Sequence, residues 1–172
     1  MGEGAAALAK IEVIRTENKN PLLSGAKFQI ACDVKNPLCG KQGATYIFGS
    51  QKGVTEEQKD QIDEAMRHYA DVTKESLGCD FADCEGAGAA GGLGYAFLSY
   101  LAGELIPGVE LILHATGLEE KMTNADVVVT GEGRLDAQTV MGKAPVGVAA
   151  LAKKYNAKVI AFALIHISEP TR

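Results

Sequence analysis

The segment from Ala125 to Ala163 places two apolar runs on either side of a helix-forming stretch, and this order restricts the fold more than any other feature. Ala125–Thr130 and Lys158–Ala163 are short and apolar, as expected for strands buried on both faces. Pro145–Tyr155 lies between them, with a proline near its start and two lysines in its last turn, which is typical of a helix. Strand, helix and strand in this order predict an α/β fold, with an incomplete parallel or mixed sheet flanked by helices.

Further elements are predicted upstream. Lys27–Val34 alternates apolar and polar side chains and predicts a strand. Thr55–Leu77 predicts a helix, because Thr55 and Gln58 form a capping-box pattern and Gly78 follows the last apolar residue. Its apolar stripe has helical spacing and predicts core packing by Ile62, Ala65, Met66, Tyr69, Val72 and Leu77. Shorter helices are predicted at Tyr95–Leu101 and Val109–Ala115.

Charge and cysteine content disfavour several classes of function. The formal net charge is -5, which disfavours an electrostatic grip on a nucleic-acid backbone. No apolar run approaches the roughly 20 residues of a membrane-spanning helix, so we expect no membrane partner. The four cysteines, Cys32, Cys39, Cys79 and Cys84, lack the paired C-x2-C spacing of a zinc site. Without a recognisable signal peptide, they predict reduced, mostly buried thiols in a cytoplasmic protein.

A glycine-rich stretch, Gly86–Gly91, satisfies the pattern G-x-G-x-x-G. A dinucleotide-binding fingerprint directly follows a strand, whereas the residues before Gly86 do not form a strand pattern, which disfavours an oxidoreductase. Two interpretations remain open. Glycines at a helix N-terminus expose N–H groups that suit a phosphate or carboxylate, and small residues also permit close packing of helices.

The stretch Gly131–Asp136 is the most informative for function, because it begins where a predicted strand ends. In open α/β sheets, ligands lie beyond the carboxyl ends of the strands. Glu132 and Asp136 supply carboxylates that could hold Mg²⁺, and Arg134 supplies a guanidinium that could brace phosphate oxygens. The alternative is a structural ion pair between Arg134 and one of these acids.

Three further charged residues are weaker candidates. The Gly-Lys pair ending at Lys143 is not a P-loop, because Ala137 and Ala144 stand where that motif requires Gly and Ser or Thr. Lys143 could still contact a phosphate as a point charge. Asp33 ends a predicted strand and could act as a base toward a hydroxyl, or cap a turn. Lys52 could contact an anion, although solvation is the simpler prediction.

Three long blocks in register resemble the bacterial glycerate kinase family of the glycerate 2-kinase type. They are IACDVKNPLCGKQGATYIFGSQKGVT, GAGAAGGLGYA and VVVTGEGRLDAQTVMGKAPVGVAALAKKY, and the resemblance runs from about Lys27 to Ala163. It implies ATP- and Mg²⁺-dependent phosphorylation of D-glycerate, usually to 2-phosphoglycerate. It also implies two α/β domains around a central cleft, with the segments 1–26 as a lead-in, 27–122 as a lobe with the glycine-rich loop, and 123–163 as a βαβ unit of a Rossmann-like lobe.

The resemblance also implies site residues, and their roles follow from residue chemistry. The residues expected to act in catalysis are Asp33, Arg134, Asp136 and Lys143. The residues expected to contact the substrate or its phosphate are Asn36, Lys52, Gly86, Gly88, Gly91, Gly92, Gly131, Glu132, Gly133 and Gln138. Glu132 and Asp136 are the candidate ligands of Mg²⁺.

The chain also departs from the family pattern. Family members are more than twice as long, and they carry a Pro-Asp-Ser-Lys-type loop and a second Gly-Ser-rich loop that we do not find here. Residues 164–172, LIHISEPTR, resemble a translated sequencing adapter. We therefore expect an internal fragment with an artificial end, inactive or nearly so by itself. The alternative function is a non-catalytic α/β module that binds an anionic metabolite.

Overall fold

The computed structural model describes residues 4–133 and 144–163. The chain divides into two compact units, Met1–Ile106 and Pro107–Arg172, and each contains one pair of parallel strands. The α-helices of the described residues are α1 (Ala44–Phe48), α2 (Glu56–Leu77), α3 (Leu93–Leu101), α4 (Gly108–Ala115), α5 (Leu118–Met122) and α6 (Ala144–Lys154), and short 3-10 helices include Ser50–Lys52 and Ala89–Gly91. The strands are β1 (Gln29–Ala31), β2 (Glu104–Ile106), β3 (Val127–Glu132) and β4 (Lys158–Ala163). Among the described residues, no helix combines the length and the apolar character needed to cross a bilayer.

In the first unit, β1 is shorter than the predicted strand Lys27–Val34. Its register pairs Gln29 with Glu104 and Ala31 with Ile106, and Cys32 adds one N–H bond to Ile106 before the chain turns away. The predicted alternation is confirmed, since the apolar positions of the segment are half-buried and the intervening ones exposed. The strand pattern was therefore sound, but the short partner β2 limits the ladder.

Helix α2 confirms its sequence signals. The N–H of Thr55 donates to Gln58 Oε1 at 3.0 Å, and Gly78 adopts a left-handed conformation (φ 70°) that ends the helix. Every member of the predicted apolar stripe is buried or half-buried. The stripe contributes to a core formed by Leu38, Ala44, Met66, Ala70, Ala87 and Tyr95.

In the second unit, the predicted βαβ arrangement is confirmed. Strands β3 and β4 are parallel, and α6 connects and covers them. On the face that α6 covers, Val128 packs against a small core of Met122, Ala152 and Ala157. On the other face, Val129 is 60% exposed and Phe162 is 62% exposed. The expectation that these strands are buried on both faces is therefore wrong for this chain.

Candidate functional site

The glycine-rich loop lies against the turn formed by Asn36 and Pro37. The N–H of Gly88 donates to the carbonyl oxygen of Asn36 at 2.9 Å. A Cβ on Gly88 would lie 2.3 Å from the carbonyl oxygen of Pro37, so no side chain fits there. Likewise, a Cβ on Gly94 would lie 2.1 Å from the carbonyl oxygen of Gly86. Close packing therefore accounts for part of the glycine pattern.

The other end of the loop, from Ala90 to Gly92, is shaped differently. All three of its residues have positive φ, including Ala90 at 51°, where a side chain is strained. The loop leads directly into α3. The N–H groups of Gly91 and Gly92 donate to the carbonyl oxygens of Gly88 and Ala89, and the N–H of Tyr95 donates to that of Ala87, so these donors are already bonded. The positive end of the α3 dipole at this end of the loop favours anions.

Lys52 lies at this end of the loop. It is exposed, and its ammonium nitrogen lies 3.1 Å from the position that a Cβ on Gly91 would take. The structure therefore brings together three sequence-predicted groups of the first unit: the Asn36 turn, the glycine loop and Lys52. The positive charge of Lys52 beside the N-terminal end of α3 is suited to phosphate or carboxylate oxygens.

One supporting residue was missed by sequence reasoning. Asp63, on α2, is 7% exposed and accepts the N–H of Gly40 with both carboxylate oxygens, at 2.9 and 3.0 Å. Gly40 lies in the loop that carries Asn36, and Asn36 Nδ2 donates to the carbonyl oxygen of Gln42 at 2.8 Å. A polar residue inside the apolar stripe of α2 was the available signal, because buried charges are normally paired.

Cys39 lies in the same loop and is not a reactive thiol. Burial, and after it the negative charge of Asp63, raise the pKa of Cys39 to about 12. The side chain is therefore neutral at physiological pH. All four cysteines are free thiols, but Cys32, Cys39 and Cys79 are only half-buried and Cys84 is exposed, so the prediction of mostly buried thiols is wrong.

In the second unit, β3 continues through Glu132, two residues beyond the predicted strand end. Gly131 pairs with Phe162 and Glu132 with Ala163, so these two candidates belong to the ladder and Gly133 follows it. Glu132 is half-buried. Asp33, in the first unit, is exposed and lies two residues after β1. The remaining candidates, Arg134, Asp136, Gln138 and Lys143, lie outside the described residues, as does the segment 164–172.

Whether the candidate residues suit Mg²⁺ depends on the chemistry of their ligand atoms. Within residues 4–133 and 144–163, no group of three or more His, Cys, Asp or Glu side chains is placed to hold a metal ion. Of the two candidate ligands, only Glu132 falls in these ranges. Its carboxylate is a suitable oxygen donor for a hard cation, so Mg²⁺ coordination by Glu132 and Asp136 stays a prediction.

Comparison with known proteins gives a consistent result. A model of the glycerate kinase family matches residues 1–166. The glycerate kinase of Bacillus subtilis (strain 168) is 46% identical over 163 residues, covering 95% of this chain and 43% of that protein. The glycerate 2-kinase of Escherichia coli (strain K12) is 44% identical over 163 residues with the same coverage.

A solved structure agrees with these relatives. A crystal structure from Salmonella typhimurium LT2, described as a candidate glycerate kinase 2, superposes with a TM-score of 0.86 at 42% identity. It covers 94% of this chain and 43% of its own chain. The chain thus spans less than half the length of the relatives and of the structure that it matches.

Proposed function

The chain belongs to the glycerate kinase family, and we propose that it supplies part of the site of an ATP-dependent glycerate kinase. The reaction transfers the terminal phosphoryl group of ATP to a hydroxyl of D-glycerate, giving 2-phosphoglycerate. This makes the protein a cytoplasmic phosphotransferase with an alcohol acceptor, acting on a small molecule and not on nucleic acid or membranes. The observation that carries the proposal is the position of the Lys52 ammonium at the Gly91 end of the glycine loop.

The residues of the first unit would bind and orient the reactants. Lys52 and the N-terminal end of α3, which follows the glycine loop, would neutralise and hold phosphate oxygens, which is the main demand of phosphoryl transfer. Asn36, whose side chain is fixed on Gln42, holds the backbone against which the glycine loop rests. Asp33 would accept the proton of the substrate hydroxyl as the new oxygen–phosphorus bond forms.

The residues of the second unit would neutralise the negative charge of the phosphoryl group during its transfer. Glu132 and Asp136 would hold Mg²⁺, which when bound shields the negative phosphate oxygens. Arg134 and Lys143 would add positive charge, and Gln138 and the backbone at Gly131 and Gly133 would contribute hydrogen bonds. These roles come from residue chemistry and from the family motifs.

The test is a coupled ADP-release assay with D-glycerate and MgATP on two proteins. One is this chain alone; the other is a chimera in which it replaces the matching segment of the Bacillus subtilis glycerate kinase. We expect turnover by the chimera and little or none by the chain alone, because it covers 43% of that relative. A folded chimera without turnover would refute the proposal.

Lys52→Ala in the chimera provides the residue-level test. We expect a loss in kcat/KM of roughly tenfold to a hundredfold, the size of a lost charged hydrogen bond. Lys27→Ala is the control, because this exposed lysine forms an ion pair with Glu104 at 3.6 Å and is not a candidate site residue. Equal effects of both substitutions would contradict a specific role for Lys52.

The alternative, a non-catalytic module that binds an anionic metabolite, is favoured for the isolated chain by its partial coverage of the relatives. It predicts that Arg134→Ala and Asp136→Ala leave the turnover of the chimera unchanged. The kinase proposal predicts large losses in kcat for both substitutions. The same assay therefore decides between the two functions.

A further inference from the structure

A cavity of about 210 Å³ opens beside Lys52 in the first unit. Lys52 and Gly91 lie at its wall, so it is continuous with the positively charged end of the glycine loop. The remainder of the wall is mainly apolar, and its largest side chains are Phe48, Val54, Ile62 and Met66. A polar rim therefore adjoins an apolar interior.

The acceptor of the proposed reaction does not suit this interior. Every carbon of D-glycerate carries oxygen, so burying it against apolar walls would cost desolvation without a compensating hydrogen bond. A planar nucleobase has two apolar faces, and its burial against aliphatic and aromatic side chains is favourable. The apolar wall therefore suits the nucleobase of the phosphoryl donor better than it suits the acceptor.

The size of the cavity agrees with one ring system. Sites that enclose a drug-sized molecule have volumes of roughly 300–1,000 Å³, so about 210 Å³ is too small for a whole nucleotide. The sugar and phosphates would remain outside, where the cavity meets Lys52 and Gly91. The lining residues Ile62 and Met66 belong to the packed stripe of α2, which keeps the cavity preformed.

We propose that this cavity binds the adenine ring of the phosphoryl donor and that Lys52 and Gly91 mark its phosphate side. The proposal rests on the proposed function for the identity of the donor. It assigns the cavity and the adjoining end of the glycine loop to the phosphoryl donor, and other residues, Asp33 among them, to the acid substrate. Phe48 supplies the aromatic surface for the ring, and Val54 is an aliphatic lining residue at which a larger side chain would fill the cavity.

The test measures binding of adenosine and of inorganic triphosphate to the full chain by isothermal titration. Val54→Phe fills the cavity, and we expect it to weaken adenosine binding at least tenfold and to leave triphosphate binding unchanged. Lys52→Ala should show the opposite pattern. Ile47→Phe adds the same ring at a position on α1 that is 44% exposed and does not line the cavity, and it should change neither affinity.

A second measurement does not depend on the fold of a variant. In the unsubstituted chain, nuclear Overhauser effects should connect the adenine protons to the Met66 methyl group and the Phe48 ring. The proposal is overturned if adenosine does not bind, if these effects are absent, or if D-glycerate displaces adenosine from the cavity. Equal weakening of both ligands by Val54→Phe would also overturn it.

The failure of this inference and that of the proposed function are distinguishable. Adenosine binding with the predicted pattern, combined with a folded chimera that releases no ADP, would refute the kinase proposal alone. Turnover by the chimera, combined with unchanged adenosine affinity in Val54→Phe, would refute the adenine site alone.

Discussion

Both carboxylate oxygens of Asp63 accept the backbone N–H of Gly40, at 2.9 and 3.0 Å. Asp63 belongs to α2, whereas Gly40 belongs to the loop that carries Asn36. Since the carbonyl oxygen of Asn36 accepts the N–H of Gly88, contacts run from α2 through this loop to the glycine loop. A helix residue outside the candidate site thus determines the backbone path on which the site depends.

Removing this carboxylate should loosen the Asn36 loop. We expect Asp63→Ala to lower the free energy of unfolding by about 1–3 kcal/mol, because the N–H of Gly40 would lose its acceptor. Asp63→Asn keeps an acceptor oxygen and should retain most of the stability. Urea denaturation measures both effects. Glu64→Ala, a change at a neighbouring exposed acid of α2, is the control, and a loss of the same size there would contradict the assignment.

A side chain at position 88 should displace the glycine loop. The Cβ of Gly88→Ala would meet the carbonyl oxygen of Pro37 at 2.3 Å and that of Asn36 at 3.1 Å, and both are backbone atoms that move only with the chain. We expect a loss of about 1–3 kcal/mol in unfolding free energy, typical of overpacking, and loss of triphosphate binding. Thermal unfolding and titration calorimetry measure these changes.

Gly25→Ala is the matched control for this prediction. Gly25 has no atom within 4 Å of its Cβ position, so the same substitution meets open space. Its stability should change by a few tenths of a kcal/mol, as at an ordinary surface position. An equally small loss of unfolding free energy in Gly88→Ala would contradict the close approach of the glycine loop to the Asn36 loop.

The second unit contains a pH-dependent contact between α5 and the end of α6. The Lys154 ammonium donates to Glu119 Oε1 at 2.6 Å, and the Tyr155 hydroxyl donates to the same oxygen at 2.8 Å. These bonds lower the pKa of Glu119 from its ordinary 4.5. A carboxyl whose pKa is lower in the folded state stabilises the fold above its unfolded pKa. That contribution is lost as the pH falls below 4.5 and through the folded pKa.

Glu119→Gln should therefore lower Tm slightly at neutral pH and reduce the fall in Tm on acidification. The effect should be small, because the pair is exposed and screened by water. Melting curves at a series of pH values down to the acidic limit of the fold test this. Glu120→Gln, at the adjacent exposed acid, is the control, and identical pH profiles for the two variants would contradict the prediction.

The exposed apolar face of β3 and β4, which carries Val129, Ile160 and Phe162, should promote self-association. Val129 and Ile160 pair in register and are 60% and 46% exposed, whereas Val128 points to the covered face. The double substitution Val129→Thr and Ile160→Thr should reduce concentration-dependent association in sedimentation velocity while preserving the melting temperature, because Thr remains a good strand residue. Val128→Thr should instead lower the stability and leave association unchanged; equal association in all three proteins would contradict this.

Local patterns predicted the longer elements, whereas the short elements α1, β2 and α5 were not predicted. The capping residues and apolar stripe of α2, and the order strand, helix, strand in the second unit, are confirmed with bounds within two residues. Such patterns depend on neighbouring residues, which the sequence displays directly. The prediction for β1 was too long, because a strand extends only as far as its partner β2 does.

The candidate site was predicted as residue types, and the contacts among them came from the structure. Sequence motifs named Asn36, Lys52 and the glycine loop, but the choice between anion binding and close packing stayed open. In the structure, the two ends of the loop differ. Close packing requires a glycine at position 88, whereas the Cβ position of Gly91 lies beside the ammonium of Lys52. The role of Asp63 was absent from the motifs, because its partner is 23 residues away.

The sequence by itself determined the α/β class, the βαβ unit, the main helix and the family to which the chain belongs. These follow from periodicity, caps and extended motifs, which are properties of consecutive residues. Only the tertiary structure decided that Asp63 holds the Asn36 loop, that the wall of the cavity beside Lys52 is mainly apolar, and that Val129 and Phe162 are more than half exposed. Such relationships depend on where distant segments meet, and spacing along the chain does not specify the distance across a fold.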